Sequence, residues 1–248
     1  MVALNLQTPQ WHAPSGVCAL YTTRQGGVSL PPYDSLNLAT HVGDDVLHVT
    51  ENRARLRQIA HLPNEPIWLN QTHSTAVYPI TDHMPETAPH ADACYTQSRG
   101  QVCAILTADC LPLLICDTAA TVVAAVHAGW RGLLQGIIEN TLDALPVAAH
   151  DLHVWLGPAI GPTAFQIGPE VQAAFLARDA DFAPGFTTKD DTLYGNLYTL
   201  ARVVLAKRGV TRIAGGTECT VNNPTHFFSY RRDQGHTGRM VSLIWLKP

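Results

Sequence analysis

The chain has 248 residues, 46% of them hydrophobic, with a formal net charge of -4 and charged side chains at only 15%. Such a chain can bury a sizeable core, which excludes global disorder, and with no block of Lys or Arg it lacks the electrostatic footprint of a nucleic-acid binder. The longest apolar stretch, from Leu111 into Val122–Val126, is broken by Pro112 and Asp117. It falls short of the ~20 apolar residues of a membrane span, and Met1 to Trp11 has neither the basic start nor the apolar run of a secretory signal.

In chain order, the first helix is expected near Thr50 to Leu62. Apolar runs bounded by polar or glycine punctuation then predict buried strands at Ile67 to Leu69, Val102 to Leu106, Leu113 to Cys116 and Val122 to Val126. Between the first two of these, the Pro/His/Thr-rich segment Thr81 to His90 reads as a long surface loop. A helix follows Trp130, with Leu133, Leu134, Ile137, Ile138 and Leu142 on one side. Next come a strand at Val154 to Leu156 and a helix from Pro169 to about Ala177. Leu197, Leu200, Ala201, Val204 and Leu205 keep a helical period that stops at Gly209. The last strand is Val241 to Leu246. Consecutive strands in the middle, irregular alternation elsewhere and no repeat or linker predict a single domain over residues 1–248. Its class is α+β, with mixed β-sheets layered with helices.

The six cysteines (Cys18, Cys94, Cys103, Cys110, Cys116, Cys219) sit at irregular spacings without a CxxC pair. They read as thiols in a reducing compartment, hence a cytoplasmic protein; a soluble monomer is the default expectation. Most are expected to be small core hydrophobes.

His73, Cys110 and His127 share one topological address, each following an apolar strand-like run within a few residues. Two imidazoles and a thiolate suit zinc or copper, and three protein ligands leave a fourth position open, the arrangement of a catalytic rather than a structural zinc. The spacings match no finger or ribbon signature, so two other readings stay open. In one, both histidines are satisfied at strand ends and Cys110 packs the core. In the other, Cys110 is a thiolate nucleophile paired with a histidine, with Asp109 or a second histidine orienting the base.

The local motifs carry a further signal. Thr22-Thr23-Arg24-Gln25-Gly26-Gly27-Val28-Ser29, His41-Val42-Gly43-Asp44, Asn70 to Ser74, Ala91-Asp92-Ala93, Thr107 to Pro112, Val126 to Gly132, Gly157 to Pro162 and Phe228 to Met240 occur in one order. From about Tyr21 to Trp245 the chain closely resembles the YfiH-like, laccase-domain family, whose members carry the names polyphenol oxidase and purine nucleoside phosphorylase. The resemblance implies metal ligands at His73, Cys110 and His127. It also implies a zinc-dependent enzyme, copper-binding in some members, that splits adenosine, inosine or guanosine with phosphate, accepts methylthioadenosine and deaminates adenosine.

On that reading Arg24, Asn70, Arg131, Arg231 and Arg239 are the candidates for binding nucleoside and phosphate. Asp109 is the candidate general acid or base, or else a partner that fixes one of the histidines. Trp130, Phe228 and Tyr230 could stack on a purine. Alternatives are a copper polyphenol oxidase and a peptidoglycan-precursor editing amidase that uses Cys110. The chain departs from the family at Gln166, where relatives commonly carry an acidic residue, and Gln cannot act as a base.

Overall fold

The computed structural model describes residues 4–83 and 85–248. Four strands form one antiparallel sheet in the order β1 (Leu6–Gln7), β2 (Val17–Thr22), β12 (Met240–Leu246), β5 (Val102–Thr107). A six-stranded mixed sheet runs β11 (Arg212–Gly215), β8 (Leu152–Leu156), β6 (Leu111–Asp117), β7 (Val123–Ala128), β4 (Ala93–Thr96), β3 (Val77–Pro79). Its outer pairs β11–β8 and β3–β4 are parallel and its inner pairs antiparallel. A separate hairpin joins β9 (Phe186–Lys189) to β10 (Thr192–Gly195). The α+β class with mixed sheets is therefore observed.

Side-chain alternation along the strands sets the layers, because successive residues of a strand face opposite sides. Cys103 and Ile105 of β5 and Ile244 and Leu246 of β12 point inward, onto Cys94, Leu114, Cys116, Val123 and Ala125 of the larger sheet. Their neighbours Val102, Ala104, Leu106, Val241 and Leu243 face outward and are covered by Leu36, Leu38 and Leu56, the last from α1 (Val46–Ile59). The far face of the larger sheet, with Leu111, Leu113, Ile115 and Val126, packs on α2 (Trp130–Gln135), α3 (Ile137–Ala144), α4 (Pro169–Arg178) and α5 (Leu197–Lys207). The result is helix, sheet, sheet, helix. Every residue of β5, β6 and β7 is buried, which is why these strands read as continuous apolar runs. Truncating a central side chain such as Ile105 to Ala is expected to cost about 2–5 kcal/mol.

Several expectations need correcting. Ile67 to Leu69 is not a strand; Ile67 makes one isolated parallel bridge to Cys103 before the chain turns away to pair Asn70 with Pro89 and His90. The helix after Trp130 is two helices, divided at Gly136, whose φ of 103° ends α2 in a left-handed turn. The buried faces of Leu133, Ile137, Ile138 and Leu142 survive that break. The first helix starts earlier than expected, at Val46, where the Asp45 carboxylate accepts from the Leu47 amide. The strand β2 escapes the apolar-run criterion because half its residues are only partly buried.

The chain crosses from the four-stranded to the six-stranded sheet between β5 and β6. Residues Ala108 to Cys110 make that crossing at one open end of the sandwich, with Asp109 at φ 90°. His127 stands near the end of β7 beside them, since the β6–β7 ladder pairs it with Pro112.

Candidate metal centre

Three segments meet at this open end: the crossing with Cys110, the end of β7 with His127, and the Asn70–Thr75 loop with His73. The loop is fixed at two places. Gln71 clips it to β5, its amide donating to the Leu106 carbonyl and accepting from the Leu106 amide at 2.8 Å each. Asp92, fully buried just before β4, accepts from the backbone amides of Thr72 (3.1 Å), His73 (3.0 Å) and Ser74 (2.6 Å) and from the Ser74 hydroxyl (2.7 Å). The same carboxylate bonds His127 Nδ1 at 2.8 Å. One acid thus holds two of the three candidate ligands, and its bonds hold His73 at φ 60°, a conformation that costs on the order of 1–3 kcal/mol in a non-glycine residue.

The donor atoms of His73, Cys110 and His127 lie within 4.8 Å of one another. With Nδ1 of His127 engaged by Asp92, its Nε2 is the atom left for the cluster. Cys110 Sγ stands 3.6 Å from His73 Nε2, close to the edge of about 3.6 Å expected between sulfur and nitrogen on a tetrahedral zinc with bonds of ~2.3 and ~2.05 Å. Gly129 leaves the space in front: a Cβ there would meet His73 Cδ2 at 2.7 Å and Cys110 Sγ at 2.9 Å. Donor chemistry, spacing and cradle all fit a metal ion.

The electrostatics point the same way. Burial alone would push the Cys110 thiol up, but the charge and hydrogen bond of His127, reinforced by His73, bring it down to about 6. Burial works against a charged His127, yet the Cys110 sulfur and the Asp92 carboxylate raise it to about 9. Asp92 is likewise opposed by burial and carried down to about 2 by its bonds from His127 and Ser74. The cluster at neutral pH is thus a thiolate beside an imidazolium, so the sulfur is ready for a metal while ligation by His127 Nε2 releases a proton.

The cluster opens into a cavity of about 390 Å³, within the range of small-ligand sites. Arg131, Arg231, Arg239 and His41 line it together with Trp130, Phe165, Tyr230 and Ile160. Of the residues expected from sequence, Arg24 and Asn70 are not brought here. Arg24 pairs with Asp34 at 3.2 Å and lies over Phe228 in a different cleft; Asn70 bonds His90 on the surface. Phe228 is fully buried and packs with Ala108, Phe227 and Met240, whereas Trp130 and Tyr230 do reach the cavity.

Asp109 also lines the cavity, but its carboxylate is taken up by the Thr220 hydroxyl (2.5 Å), the Ser229 hydroxyl (3.0 Å) and the Arg231 amide (2.7 Å). It fixes neither histidine; Asp92 does that for His127. Asp109 instead ties the Ser229–Arg231 segment to the chain crossing. Gln166 is exposed and contributes its main-chain carbonyl, which accepts from Arg231 at 3.0 Å, so the loss of an acidic side chain there removes nothing from the cavity lining. Sequence reasoning assigned no role to Asp92, Gln71 or His41. The signal for Asp92 was a carboxylate set between two alanines in an apolar neighbourhood, since a buried charge needs partners.

The protein is a helix–sheet–sheet–helix sandwich whose described residues carry one two-histidine, one-cysteine cluster at an open end, a three-ligand candidate metal centre. Its residues 18–247 match the family model described as multi-copper polyphenol oxidoreductase laccase, and the chain belongs to that family. It is 51% identical over 241 residues to the purine nucleoside phosphorylase YfiH of Escherichia coli (strain K12), covering 97% of this chain and 98% of that one. Against a purine nucleoside phosphorylase of Pseudomonas aeruginosa the identity is 47% over 242 residues, with 97% and 98% covered. The crystal structure of a Neisseria meningitidis protein superposes with a TM-score of 0.93 at 46% identity, over 98% of this chain and all of the other.

Proposed function

We propose that this chain is a zinc-dependent purine nucleoside phosphorylase acting on adenosine, inosine, guanosine and methylthioadenosine, with the metal held by His73, Cys110 and His127. One observation carries the reading: the open three-ligand centre shares its cavity with Arg131, Arg231 and Arg239, and among the described residues none of these arginines pairs with a carboxylate. Uncompensated guanidinium groups facing a partly apolar cavity call for an anionic partner. The names of the relatives supply its identity as phosphate.

In phosphorolysis a phosphate oxygen forms a bond to C1′ of the ribose while the bond from C1′ to the purine nitrogen breaks, and the electron pair leaves on the base. The arginines hold the dianion in line, Trp130, Phe165 and Tyr230 offer flat faces to the purine, and the apolar wall limits competing water. Asp92 keeps His127 oriented, and Asp109 keeps Arg231 in place through its amide. When bound, the metal supplies Lewis-acid charge at the foot of the cavity. Deamination of adenosine at the same centre is a second activity the family resemblance implies.

The copper oxidase reading is the weaker one. Among the described residues there is a single cluster of potential ligands, whereas reduction of oxygen by several electrons calls for several coppers. A cysteine hydrolase, such as an amidase acting on peptidoglycan precursors, has one observation in its favour. Cys110, His127 and Asp92 stand in the order nucleophile, base and orienting acid, with the His127–Asp92 bond at 2.8 Å.

The deciding experiment measures free base released from adenosine and inosine by purified protein with and without phosphate, before and after chelation, and in Cys110→Ala. Phosphate-dependent release abolished by both treatments supports the proposal. Amide hydrolysis that survives chelation but not Cys110→Ala would replace it with the hydrolase.

A further inference from the structure

The three cavity arginines are not equivalent. Arg131 stacks on Trp130 with its guanidinium 4.3 Å from the ring and is exposed. Arg231 is also exposed, and its Nη1 is spent on the carbonyls of Ala164 and Gln166. Arg239 shares that pattern of anchoring but, unlike the other two, is half-buried. Its Nη1 donates to the carbonyls of Thr237 (2.8 Å) and Gly238 (3.0 Å), and its backbone amide donates to Asn37 Oδ1 at 3.0 Å. Asn37 is fully buried and is itself held by Ala39 and by Asp44.

With Nη1 taken up by these two carbonyls, the edge formed by Nε and Nη2 carries three N–H groups that have no protein acceptor among the described residues. That edge is the fork which matches two oxygens of a tetrahedral anion, and holding it rigid removes most of the ordering cost of binding. His41 lines the same cavity. Burial together with the charges of Arg239 and Arg53 keeps its ring below the usual imidazole range, so at neutral pH it contributes a neutral N–H and no second full charge.

We propose that the Nε–Nη2 edge of Arg239 and the ring of His41 form a preorganised oxyanion subsite that takes the phosphate co-substrate, with Arg131 and Arg231 closing on the substrate from the exposed side. The identity of the anion as free phosphate rests on the phosphorylase reading; the subsite itself rests on the geometry of Arg239.

The test is calorimetric titration of inorganic phosphate, and separately of adenosine and adenosine 5′-monophosphate, into the metal-loaded wild type and the Arg239→Met, Arg239→Lys and His41→Gln variants. Metal content and melting temperature serve as controls for folding. Phosphate affinity is expected to fall by about tenfold to a hundredfold in Arg239→Met, the range for losing charge-assisted hydrogen bonds. Arg239→Lys keeps the charge and loses the fork, so an intermediate loss is expected, with a smaller one in His41→Gln; adenosine binding should change by less than about twofold.

Phosphate binding by Arg239→Met equal to that of the wild type, or none by the wild type, would overturn the subsite. Monophosphate binding that depends on Arg239 while free phosphate does not bind would reassign it to an esterified phosphate. Because these titrations need no turnover, a protein that binds phosphate through Arg239 yet releases no base would sink the phosphorylase reading and leave the subsite standing.

Discussion

Four cysteines of this chain lie within two adjoining regions, and they have opposite chemistry. In the sandwich interior, Cys94, Cys103 and Cys116 point between the sheets among Leu114, Val123 and Ile244. Burial there pushes the Cys103 thiol well up and, with help from the neighbouring Asp117 carboxylate, takes Cys116 to about 12. At the open end, where the chain changes sheets, Cys110 is half-buried and lines the cavity, two imidazoles face it, and its thiol falls to about 6. The residue type is the same; what differs is that the core thiols are fully enclosed by apolar groups, whereas Cys110 faces the cavity beside groups that can carry positive charge.

The largest break in this comparison is expected from Cys110→Ala. Removing a ligand should reduce metal affinity by more than the roughly 10–100-fold that loss of an outer partner costs. Cys103→Ala should leave metal content unchanged and cost about 1 kcal/mol of stability, measured by denaturant titration.

Next in size is Asp92→Asn, which leaves the ligands in place but weakens the acceptor that holds the His73 loop and His127. Metal affinity is expected to fall by about 10–100-fold, read by competition with a chromophoric chelator. Asp92 also has a stability signature. Its folded pKa of about 2 lies below the ordinary 3.8 of an exposed aspartate, so its contribution is fully present above pH ~3.8 and is lost as pH falls through ~2. Because Asp117 and Asp233 are also held below the usual carboxylate range, both proteins lose stability on acidification, and the wild type should lose roughly 2 kcal/mol more than Asp92→Asn over that window, on the order of 1.4 kcal/mol per pKa unit.

A third effect sharpens the contrast without any substitution. In metal-stripped protein, iodoacetamide at pH 7 should label Cys110, and the rate should fall as pH drops through about 6. Cys94, Cys103 and Cys116 should stay unlabelled until the fold opens, as peptide mass spectrometry would show. The smallest effect is expected from Arg24→Met, which should alter the KM for phosphate by less than about twofold, because that guanidinium is committed to Asp34 in another cleft.

How much of this the sequence carries follows from the same geometry. The buried strands were legible because both faces of β5, β6 and β7 are covered, so their apolar runs are unbroken. The cluster of three candidate ligands was legible because each follows such a run and matches a family motif. The crossing of the chain between two sheets was not, since nothing in an apolar run says which sheet it joins.

Adjacency along the chain misled at Asp109, which neighbours Cys110 but spends its carboxylate on Thr220, Ser229 and Arg231. Asp92, 35 positions from His127, is the acid that touches it. Motif membership misled at Arg24 in the same way, because a motif can be retained for an ion pair that shapes a loop as readily as for a ligand contact.

The central claim is a single metal centre built by Cys110 with His73 and His127. It is tested most directly by elemental analysis of purified wild type and Cys110→Ala. The expected result is a single zinc ion per wild-type chain and none retained by a folded Cys110→Ala. Several coppers per chain, or equal metal in the two proteins, would contradict it.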